Sequence, residues 1–324
     1  MKQRVSGKKI LITGGLGFIA SHIARALISK GNECVLIDRT HPNCSTAMET
    51  ELLSNKSGSV VQGNILDSQF INTISTDFDI IIHTAGVLGI RKVSEYPVLT
   101  ADVNVFGTRN ILELALRQKK LERFLHFSTS EVYGIEAQNA KETDPAVIPN
   151  VGSRWIYASS KSFSEHLLKA YRTEFGLPGI IVRPFNIYGP HRKGSNAMTS
   201  FIERAVTGDE ITIYGTGKQI RSWCHIDDFV EGILQMLVKD GIFGEAFNLG
   251  NDLEPISILE LAKKICELSS SKSKISVTNQ VEDDVFNRSP NIEKAKSLLS
   301  YCPKVSLNEG ILDILCKRSN VNAS

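Results

Sequence analysis

A tyrosine and a lysine four positions apart are the residues of this sequence best suited to proton transfer. Tyr157 and Lys161 head a run of apolar residues with helical spacing, and residues four apart on a helix project from the same face. A lysine ammonium beside a phenol favours the phenolate, so the pair would take a proton from an alcohol at neutral pH. Since the same spacing occurs by chance on ordinary surface helices, this chemistry depends on what the rest of the chain places around the pair.

The beginning of the chain predicts a dinucleotide-binding βαβ unit. An apolar strand over 9–13 leads into Gly14-Gly15-Leu16-Gly17-Phe18-Ile19, followed by a helix and a second strand that ends at Asp38. Gly14 and Gly17 permit a tight turn and close approach to a pyrophosphate, which the N–H groups at the helix start would bind. Asp38 is placed to accept hydrogen bonds from ribose hydroxyls and to repel a 2′-phosphate, which favours NAD as the cofactor.

Polar or small residues follow the next two predicted strands. After the third strand comes Asn64-Ile65, where a polar side chain would meet the adenine, and Asp67 beyond it is also suited to capping the next helix. The fourth strand, over 79–83, is continuously apolar, as expected for a parallel strand buried on both faces. It ends at His83, which we interpret as a structural histidine, and opens into Thr84-Ala85-Gly86, whose small side chains let the backbone touch a ligand.

A cluster of hydroxyls and a carboxylate follows the fifth predicted strand. Ser128-Thr129-Ser130-Glu131 stands after an apolar run over 123–127, and open α/β sheets bind ligands at the carboxyl ends of their strands. The helix predicted over 98–119 has Asn104 on its inner face, and we count Asn104 among the cofactor-binding candidates. The segment over 135–153, with two prolines, is predicted to be a loop.

The fold class that these elements predict is α/β, with a doubly wound parallel (Rossmann) sheet and a smaller C-terminal α/β lobe that binds substrate. The NAD-binding domain is expected over 1–185 with parts of 218–250, and the smaller substrate-binding lobe over 186–217 and 251–324. Other predicted elements are a strand over 179–183, a strand with a turn over 211–217, helices near 197–207, 257–269 and 291–300, a loop over 283–288, and a polar tail.

Composition excludes several classes of protein. A hydrophobic content of 42%, a charged content of 22% and a net charge of +2 indicate a globular enzyme with no nucleic-acid or membrane partner. The six cysteines are scattered and the seven histidines show no metal-ligand spacing, so we expect no disulfide framework, no metal site and a cytoplasmic location.

Together these motifs resemble the extended short-chain dehydrogenase/reductase superfamily, in its branch of nucleotide-sugar epimerases, dehydratases and decarboxylases. The resemblance covers nearly the whole chain and includes Arg183-Pro184-Phe185-Asn186-Ile187-Tyr188-Gly189-Pro190. It implies that Tyr157 is the base on the sugar C4 hydroxyl, that Lys161 assists it and holds the nicotinamide ribose, and that Thr129 contacts the C4 oxygen. It also implies that Asn186 contacts the nucleotide diphosphate and that Arg221 and Arg288 clamp it.

The chain departs from the family pattern at three places. Asn64 stands where an aspartate is usual, and Gly86 replaces a second alanine, a change we interpret as benign. Trp223-Cys224-His225 replaces a more aromatic run, and the sequence offers no role for Cys224.

The residues around the sugar leave three reactions open after C4 oxidation: decarboxylation, 4,6-dehydration and 4-epimerisation. Glu131 speaks against a simple epimerase and fits a dehydratase, in which a carboxylate removes the C5 proton, although dehydratases often carry a carboxylate where Ser130 stands. Thr129-Ser130-Glu131 also resembles uronic-acid decarboxylases. Arg154, one turn before Tyr157, would then recognise the C6 carboxylate, and Arg288 would supply the proton to C5.

The lead interpretation is a UDP-glucuronate decarboxylase-type enzyme, with Ser130, Arg154, Asn186, Arg221 and Arg288 on the substrate. A non-catalytic NAD-binding member of the family is the remote alternative. The resemblance also implies a homodimer, because in this family the helix that carries the catalytic tyrosine commonly packs in a two-fold interface.

Overall fold

The computed structural model describes residues 5–40, 52, 54–192, 196–278 and 285–321. The strands of these residues, in chain order, are β1 (Lys9–Thr13), β2 (Glu33–Asp38), β3 (Gly58–Gln62), β4 (Ile80–His83), β5 (Arg123–Phe127), β6 (Ala137–Ala140), β7 (Gly179–Pro184), β8 (Ile187–Tyr188), β9 (Ile211–Tyr214), β10 (Ile220–Ser222), β11 (Cys224–His225), β12 (Ala246–Leu249), β13 (Pro255–Ser257), β14 (Ile275–Thr278) and β15 (Asn287–Pro290).

The helices of the same residues are α1 (Phe18–Ile28), α2 (Ser68–Thr73), α3 (Ile90–Glu95), α4 (Pro97–Ala101), α5 (Thr108–Leu116), α6 (Trp155–Phe175), α7 (Ala197–Thr207), α8 (Ile226–Met236), α9 (Ile258–Leu268), α10 (Glu293–Leu299) and α11 (Leu307–Val321). A π-helical turn, Asp102–Gly107, joins α4 to α5, and a 3₁₀ turn, Ser130–Tyr133, follows β5. Among the described helices, none is both long enough and apolar enough to cross a membrane.

The chain divides into two compact units. Unit 1 comprises residues 1–132, 148–183 and 230–247, and unit 2 comprises residues 133–147, 184–229 and 248–324. The assignment of cofactor binding to one domain and nucleotide-sugar binding to the other stays a prediction.

Unit 1 is built on a seven-stranded sheet in the order β12-β7-β5-β4-β1-β2-β3. The five neighbouring pairs from β7 to β3 all run parallel. The order reverses between β1 and β4, and the crevice outside such a reversal is where doubly wound sheets bind ligands. The predicted α/β fold class is therefore confirmed.

The central strands of unit 1 form because they are mostly apolar and buried, whereas the edge strand β3 is partly exposed. All four residues of β4 and all five of β5 are buried, as a parallel sheet with both faces covered requires. Helix α6 covers one face with Leu168 and Tyr171, and it ends at Gly176, whose left-handed backbone (φ 72°) terminates the helix without a Cβ penalty.

Unit 2 has its own apolar core around α7, α9 and α11 and three small sheets. The largest has the order β13-β10-β15-β6, and the others pair β11 with β8 and β14 with β9. Helix α9 begins with a capping box, in which Ser257 accepts from the Glu260 N–H and Glu260 reaches back to Ser257.

Several predicted boundaries were wrong, and all the missed strands are short. Strand β6 lies within the predicted loop 135–153, and β15 lies where a loop was predicted over 283–288, of which 283 and 284 lie outside the described residues. Helix α11 occupies the predicted polar tail. The helix predicted over 98–119 is helical but is broken into α4, the π turn and α5. Short polar strands whose partners are distant in sequence leave no periodic signal.

Candidate active site

Tyr157 and Lys161 lie one turn apart on α6, as their spacing predicts. Lys161 is 3% exposed, and its Nζ donates to the carbonyl of Phe127, the last residue of β5, at 2.8 Å. Burial lowers the Lys161 pKa from 10.5 to about 8, and the carboxylate of Glu165 acts in the opposite direction. Tyr157 is half-buried, and its carbonyl accepts from the Ser160 hydroxyl at 2.9 Å. The lysine is therefore fixed to the end of the strand that leads to Thr129.

The hydroxyl cluster after β5 is ordered by its own hydrogen bonds. Thr129 and Ser130 are buried, and Thr129 Oγ1 accepts from the Glu131 N–H at 3.2 Å. Glu131 is half-buried within the 3₁₀ turn. Ser128 donates its hydroxyl to Glu165. Ser128, Thr129, Tyr157 and Lys161 thus come from one strand end and the helix bound to it.

The glycine loop has the close backbone approach that a dinucleotide site needs. Gly14 has φ +68°, and a Cβ built on it would lie 2.9 Å from the Ala85 Cα, so no other residue fits there without strain. The N–H groups of Gly14 and Gly15 donate to the Ile37 carbonyl at 2.7 and 3.1 Å.

Asp38 and the start of α1 complete this side of the site. The Leu16 N–H donates to Asp38 Oδ2 at 3.1 Å, which ties the loop to the end of β2. Helix α1 begins at Phe18 and Ile19 after Gly17, so its first N–H groups point out of the helix beside the loop. This cradle and its carboxylate fit the diphosphate and ribose of NAD.

Asn104 links the loop after β4 to helix α6. It lies in the π-helical turn, its Oδ1 accepts from the Val87 N–H at 3.0 Å, and its Nδ2 donates to Ser160 Oγ at 3.1 Å. Thr84 Oγ1 donates to the Thr13 carbonyl at 2.6 Å. A Cβ built on Gly86 would lie 3.1 Å from Lys161 Nζ, so Gly86 borders the lysine. Its neighbour Ala85 borders Gly14 of the glycine loop.

His83 is a structural histidine, which confirms its interpretation. Its Nδ1 lies 2.7 Å from Thr13 Oγ1 and its Nε2 lies 3.0 Å from Thr108 Oγ1. Burial lowers the His83 pKa to about 3, so the imidazole stays neutral at physiological pH.

The residues that follow β3 make hydrogen bonds that hold the local backbone in place. Asn64 Oδ1 accepts from the Leu66 N–H at 3.0 Å, and the buried Ile65 accepts at its carbonyl from Asn110 at 2.8 Å. Asp67 accepts from the Gln69 and Phe70 N–H groups, so it caps α2, which is a role that the sequence predicts for it. Contact of Asn64 or Ile65 with adenine stays a prediction.

Arg154 immediately precedes α6. Its guanidinium lies over the ring of Trp155, 4.7 Å from the ring centroid, and the residue is half-buried. A stacked guanidinium keeps its in-plane N–H groups available to a carboxylate, because the ring contacts only its face.

The remaining predicted substrate residues lie in unit 2. Arg221 and Arg288 are register partners on the parallel strands β10 and β15, and both are buried. The prediction of a loop at Arg288 was therefore wrong, because the residue is part of a sheet. Asn186 has a left-handed backbone (φ 44°) and donates to the Ser222 carbonyl at 2.9 Å.

Cys224, which had no role in the sequence, is a core residue of unit 2. Its Sγ lies 3.3 Å from the hydroxyl of Tyr301, which lies 3.0 Å from the Gly250 carbonyl. Burial raises the pKa of the Cys224 thiol to about 12, so it is protonated and unreactive. Among the described residues, no group of three or more histidine, cysteine, aspartate and glutamate side chains is arranged to hold a metal ion.

A buried ion pair beside the site was missed in the sequence. Arg183 donates from Nε to Glu165 Oε1 at 2.8 Å and from Nη2 to Oε2 at 2.6 Å. The sequence motifs include Arg183 without a role of its own, and they do not include Glu165. The position of Glu165, four residues after Lys161 on the same helical face, was the available signal.

Comparison with known proteins gives a consistent result over nearly the whole chain. The model of the "NAD dependent epimerase/dehydratase family" matches residues 10–250. A UDP-N-acetyl-alpha-D-glucosaminuronate decarboxylase of Bacillus cytotoxicus is 34% identical over 95% of this chain and 97% of its own length. UDP-glucuronic acid decarboxylase 1 of Arabidopsis thaliana is 34% identical over 94% of this chain and 68% of its own.

The fold is also that of solved enzymes. A dTDP-glucose 4,6-dehydratase from Streptomyces venezuelae, solved with NAD bound, superposes with a TM-score of 0.87 at 27% identity, covering 97% of this chain and 98% of that chain.

Proposed function

Because the chain belongs to the NAD-dependent epimerase/dehydratase family, we propose that it oxidises UDP-glucuronate at C4 and then releases the C6 carboxylate as carbon dioxide. The cofactor of the enzyme is NAD. The alignment with two decarboxylases of UDP-linked uronic acids, each over more than nine-tenths of this chain, is the observation that carries this proposal.

The residues of unit 1 supply the proton chemistry of the first step. The redox chemistry, uptake of a hydride from C4, would be supplied by NAD when it is bound. The Tyr157 phenolate, which Lys161 stabilises by its charge, takes the proton of the C4 hydroxyl, and the Thr129 hydroxyl orients the C4 oxygen. The bond from Lys161 to the Phe127 carbonyl supports these roles, since it holds the ammonium against the strand end from which Thr129 follows.

The cofactor would be held by the residues that border the strand ends of unit 1. They are Gly14, Gly17, Phe18, Ile19, Asp38, Asn64, Ile65, Thr84, Ala85, Gly86, Asn104, Ser128, Tyr157 and Lys161. The close approach of Gly14 to Ala85 supports this assignment, because a pyrophosphate needs backbone that no side chain shields.

Decarboxylation then needs little from the protein. With a ketone at C4, the C6 carboxylate is that of a β-keto acid: the C5–C6 bond breaks, its electron pair enters an enolate over C5 and the C4 oxygen, and carbon dioxide leaves. C5 takes up a proton, the cofactor's redox chemistry would return the hydride to C4, and Tyr157 returns its proton to the C4 oxygen, which completes the cycle. Arg154 is proposed to bind the carboxylate before it leaves, as its stacked guanidinium permits.

Two arginines and an asparagine of unit 2 are proposed to bind the nucleotide diphosphate. Arg221 and Arg288 are neighbours on parallel strands, so two buried positive charges stand side by side. A dianionic diphosphate suits such a pair, and guanidinium forks match phosphate geometry. Asn186 and Ser130 are proposed to contact the nucleotide and the sugar, respectively.

A 4,6-dehydratase is the second candidate. Glu131 follows the Thr129-Ser130 pair, half-buried, where a carboxylate would remove the C5 proton and assist loss of the C6 hydroxyl. The superposition with a dTDP-glucose 4,6-dehydratase is compatible with this reaction.

Mass spectrometry of the product separates the candidates. The protein is incubated with UDP-glucuronate, UDP-N-acetylglucosaminuronate and dTDP-glucose, with Tyr157→Phe as the matched inactive variant. We expect loss of carbon dioxide from a UDP-uronic acid. Loss of water from dTDP-glucose would establish the dehydratase, an isomer of unchanged mass would establish a 4-epimerase, and either result without decarboxylation would refute the proposal.

The exposed apolar residues of unit 1 support the proposed homodimer. Val98, Phe106 and Phe163 are 73%, 56% and 54% exposed, and they lie on the helical segment 97–116 and on α6. Burial of these side chains against a second copy would remove them from water. Phe163→Glu is expected to produce monomers by light scattering, whereas a wild-type protein that is itself monomeric would refute the homodimer.

A further inference from the structure

We propose that Glu165 is a positioning residue that keeps Lys161 charged and holds α6 in register against the ends of β5 and β7. The inference rests on the roles proposed for Tyr157 and Lys161, and it does not depend on which reaction follows C4 oxidation. It assigns a role to a buried ion pair that the proton chemistry itself does not use.

The first support is the set of bonds that converge on one carboxylate. Glu165 is 3% exposed and receives two N–H groups of the Arg183 guanidinium, at 2.8 and 2.6 Å, together with the Ser128 hydroxyl. Ser128 directly follows β5, and Arg183 lies near the end of β7, the neighbour of β5 in the sheet. One side chain of α6 therefore holds the ends of two adjacent strands.

The second support is the order of residues along the helix. Tyr157, Lys161 and Glu165 are each separated by four positions, so they form one stripe of α6. Lys161 binds the Phe127 carbonyl and Glu165 binds the Ser128 hydroxyl, so two successive turns of the helix hold two successive residues of the strand end. A shift of Glu165 would displace both Lys161 and the start of the Thr129 segment.

The third support is the balance of charge around Lys161. Burial disfavours its ammonium, and Glu165 is the carboxylate that opposes this effect and raises the lysine pKa. The nearby imidazoles of His83 and His126 are buried, which lowers the pKa of both, so they are neutral. Beyond Glu165 stands the Arg183 cation, which pairs with the carboxylate through two N–H groups.

Direct titration of Tyr157 tests the inference without a substrate. The ultraviolet absorbance of tyrosinate is followed against pH in the full-length protein and in the same protein with Tyr157→Phe, so the difference reports Tyr157 alone. The same pair of titrations, with Tyr157 and with Tyr157→Phe, is repeated in Glu165→Gln and in Glu165→Gln/Arg183→Met. The double variant removes Arg183 together with its carboxylate partner, so it leaves no guanidinium buried without a counter-ion and is expected to fold even if the single variant does not.

We expect the Tyr157 ionisation to move to higher pH by about one unit in these variants, because Lys161 would lose its proton earlier and no longer stabilise the phenolate. Glu113→Gln is the matched control: it removes the carboxylate partner of Tyr171, so the total tyrosine titration moves, but the difference between this variant with Tyr157 and with Tyr157→Phe should be unchanged. If the folded double variant titrates like the wild type, the pair is only structural and the inference is wrong. Turnover that persists in Tyr157→Phe would instead refute the proposed function.

Discussion

The two units hold their buried cations in opposite ways. In unit 1, Lys161 is buried beside Glu165 and bound to a backbone carbonyl, and Glu165 offsets part of the cost of burying its charge. In unit 2, Arg221 and Arg288 stand next to each other on paired strands, two like charges at adjacent positions. A lysine tied to a strand end is held where it can assist a proton transfer, whereas two guanidinium groups at adjacent strand positions suit an anion that contacts both. The first arrangement suits catalysis and the second suits binding.

The largest expected effect is on the chemistry of unit 1. Tyr157→Phe removes the base, so we expect turnover to fall by roughly 10²–10⁴-fold while NAD remains bound. Turnover is measured by product mass spectrometry, and bound NAD by its release on denaturation. Tyr96→Phe, at an exposed tyrosine of the same unit, is the control and should keep full activity. Equal losses in both variants would contradict a specific role for Tyr157.

The second effect is on the pH dependence of stability. The Lys161 pKa is about 8 in the folded protein and 10.5 when the lysine is unperturbed, so the unfolded chain binds more protons between these values. The cost of the buried lysine is therefore full below pH 8 and is relieved as pH rises towards 10.5.

Urea unfolding from pH 7 to 10.5 measures this cost. The free energy of unfolding of the wild type, minus that of Lys161→Met, should rise by about 3 kcal/mol over this interval. Lys119→Met, at an exposed lysine, is the control. A flat difference for Lys161→Met would mean that the lysine is not held in a destabilised charged state, and the contrast between the units would fail.

The third effect concerns binding in unit 2. Arg221→Lys and Arg288→Lys keep the charge but lose the guanidinium fork, so each should raise KM for the nucleotide sugar about tenfold with a small change in kcat. Steady-state kinetics with the accepted substrate measures this. Arg318→Lys, which alters a surface pair with Glu203, serves as the control. A loss in kcat alone would place these arginines in the chemistry and remove the contrast with Lys161.

The smallest expected effects are on the free energy of unfolding, and they compare how the two units unfold. Asp67→Ala removes the cap of α2 in unit 1, and Ser257→Ala removes the capping box of α9 in unit 2. Each substitution should lower the free energy of unfolding by about 1 kcal/mol, and urea titration measures this change. If the units unfold together, both variants shift one common transition, whereas two transitions that respond separately would show independent units.

Local patterns were enough to identify much of unit 1. Its central strands are mostly apolar runs, and the glycine loop, Asp38 and the Tyr157/Lys161 spacing each carry their signal within a few residues. The helices near 197–207 and 257–269 were also predicted closely, because their apolar periodicity is local. The sequence did not predict strands β6, β10, β13 and β15, because they have three or four residues each and pair with segments far away in the chain.

The sequence alone determined the family and the cofactor, and it predicted the residues that we propose oxidise a sugar alcohol, since all of these depend on motifs of fixed spacing. Only the tertiary structure decided that Glu165 and Arg183 form a buried pair beside Lys161, and that Arg221 and Arg288 are neighbours on adjacent strands. The physical reason is that charge balance depends on distance in space and on burial. Both are set by how strands and helices pack, and residues 67 positions apart, such as 221 and 288, share no local pattern.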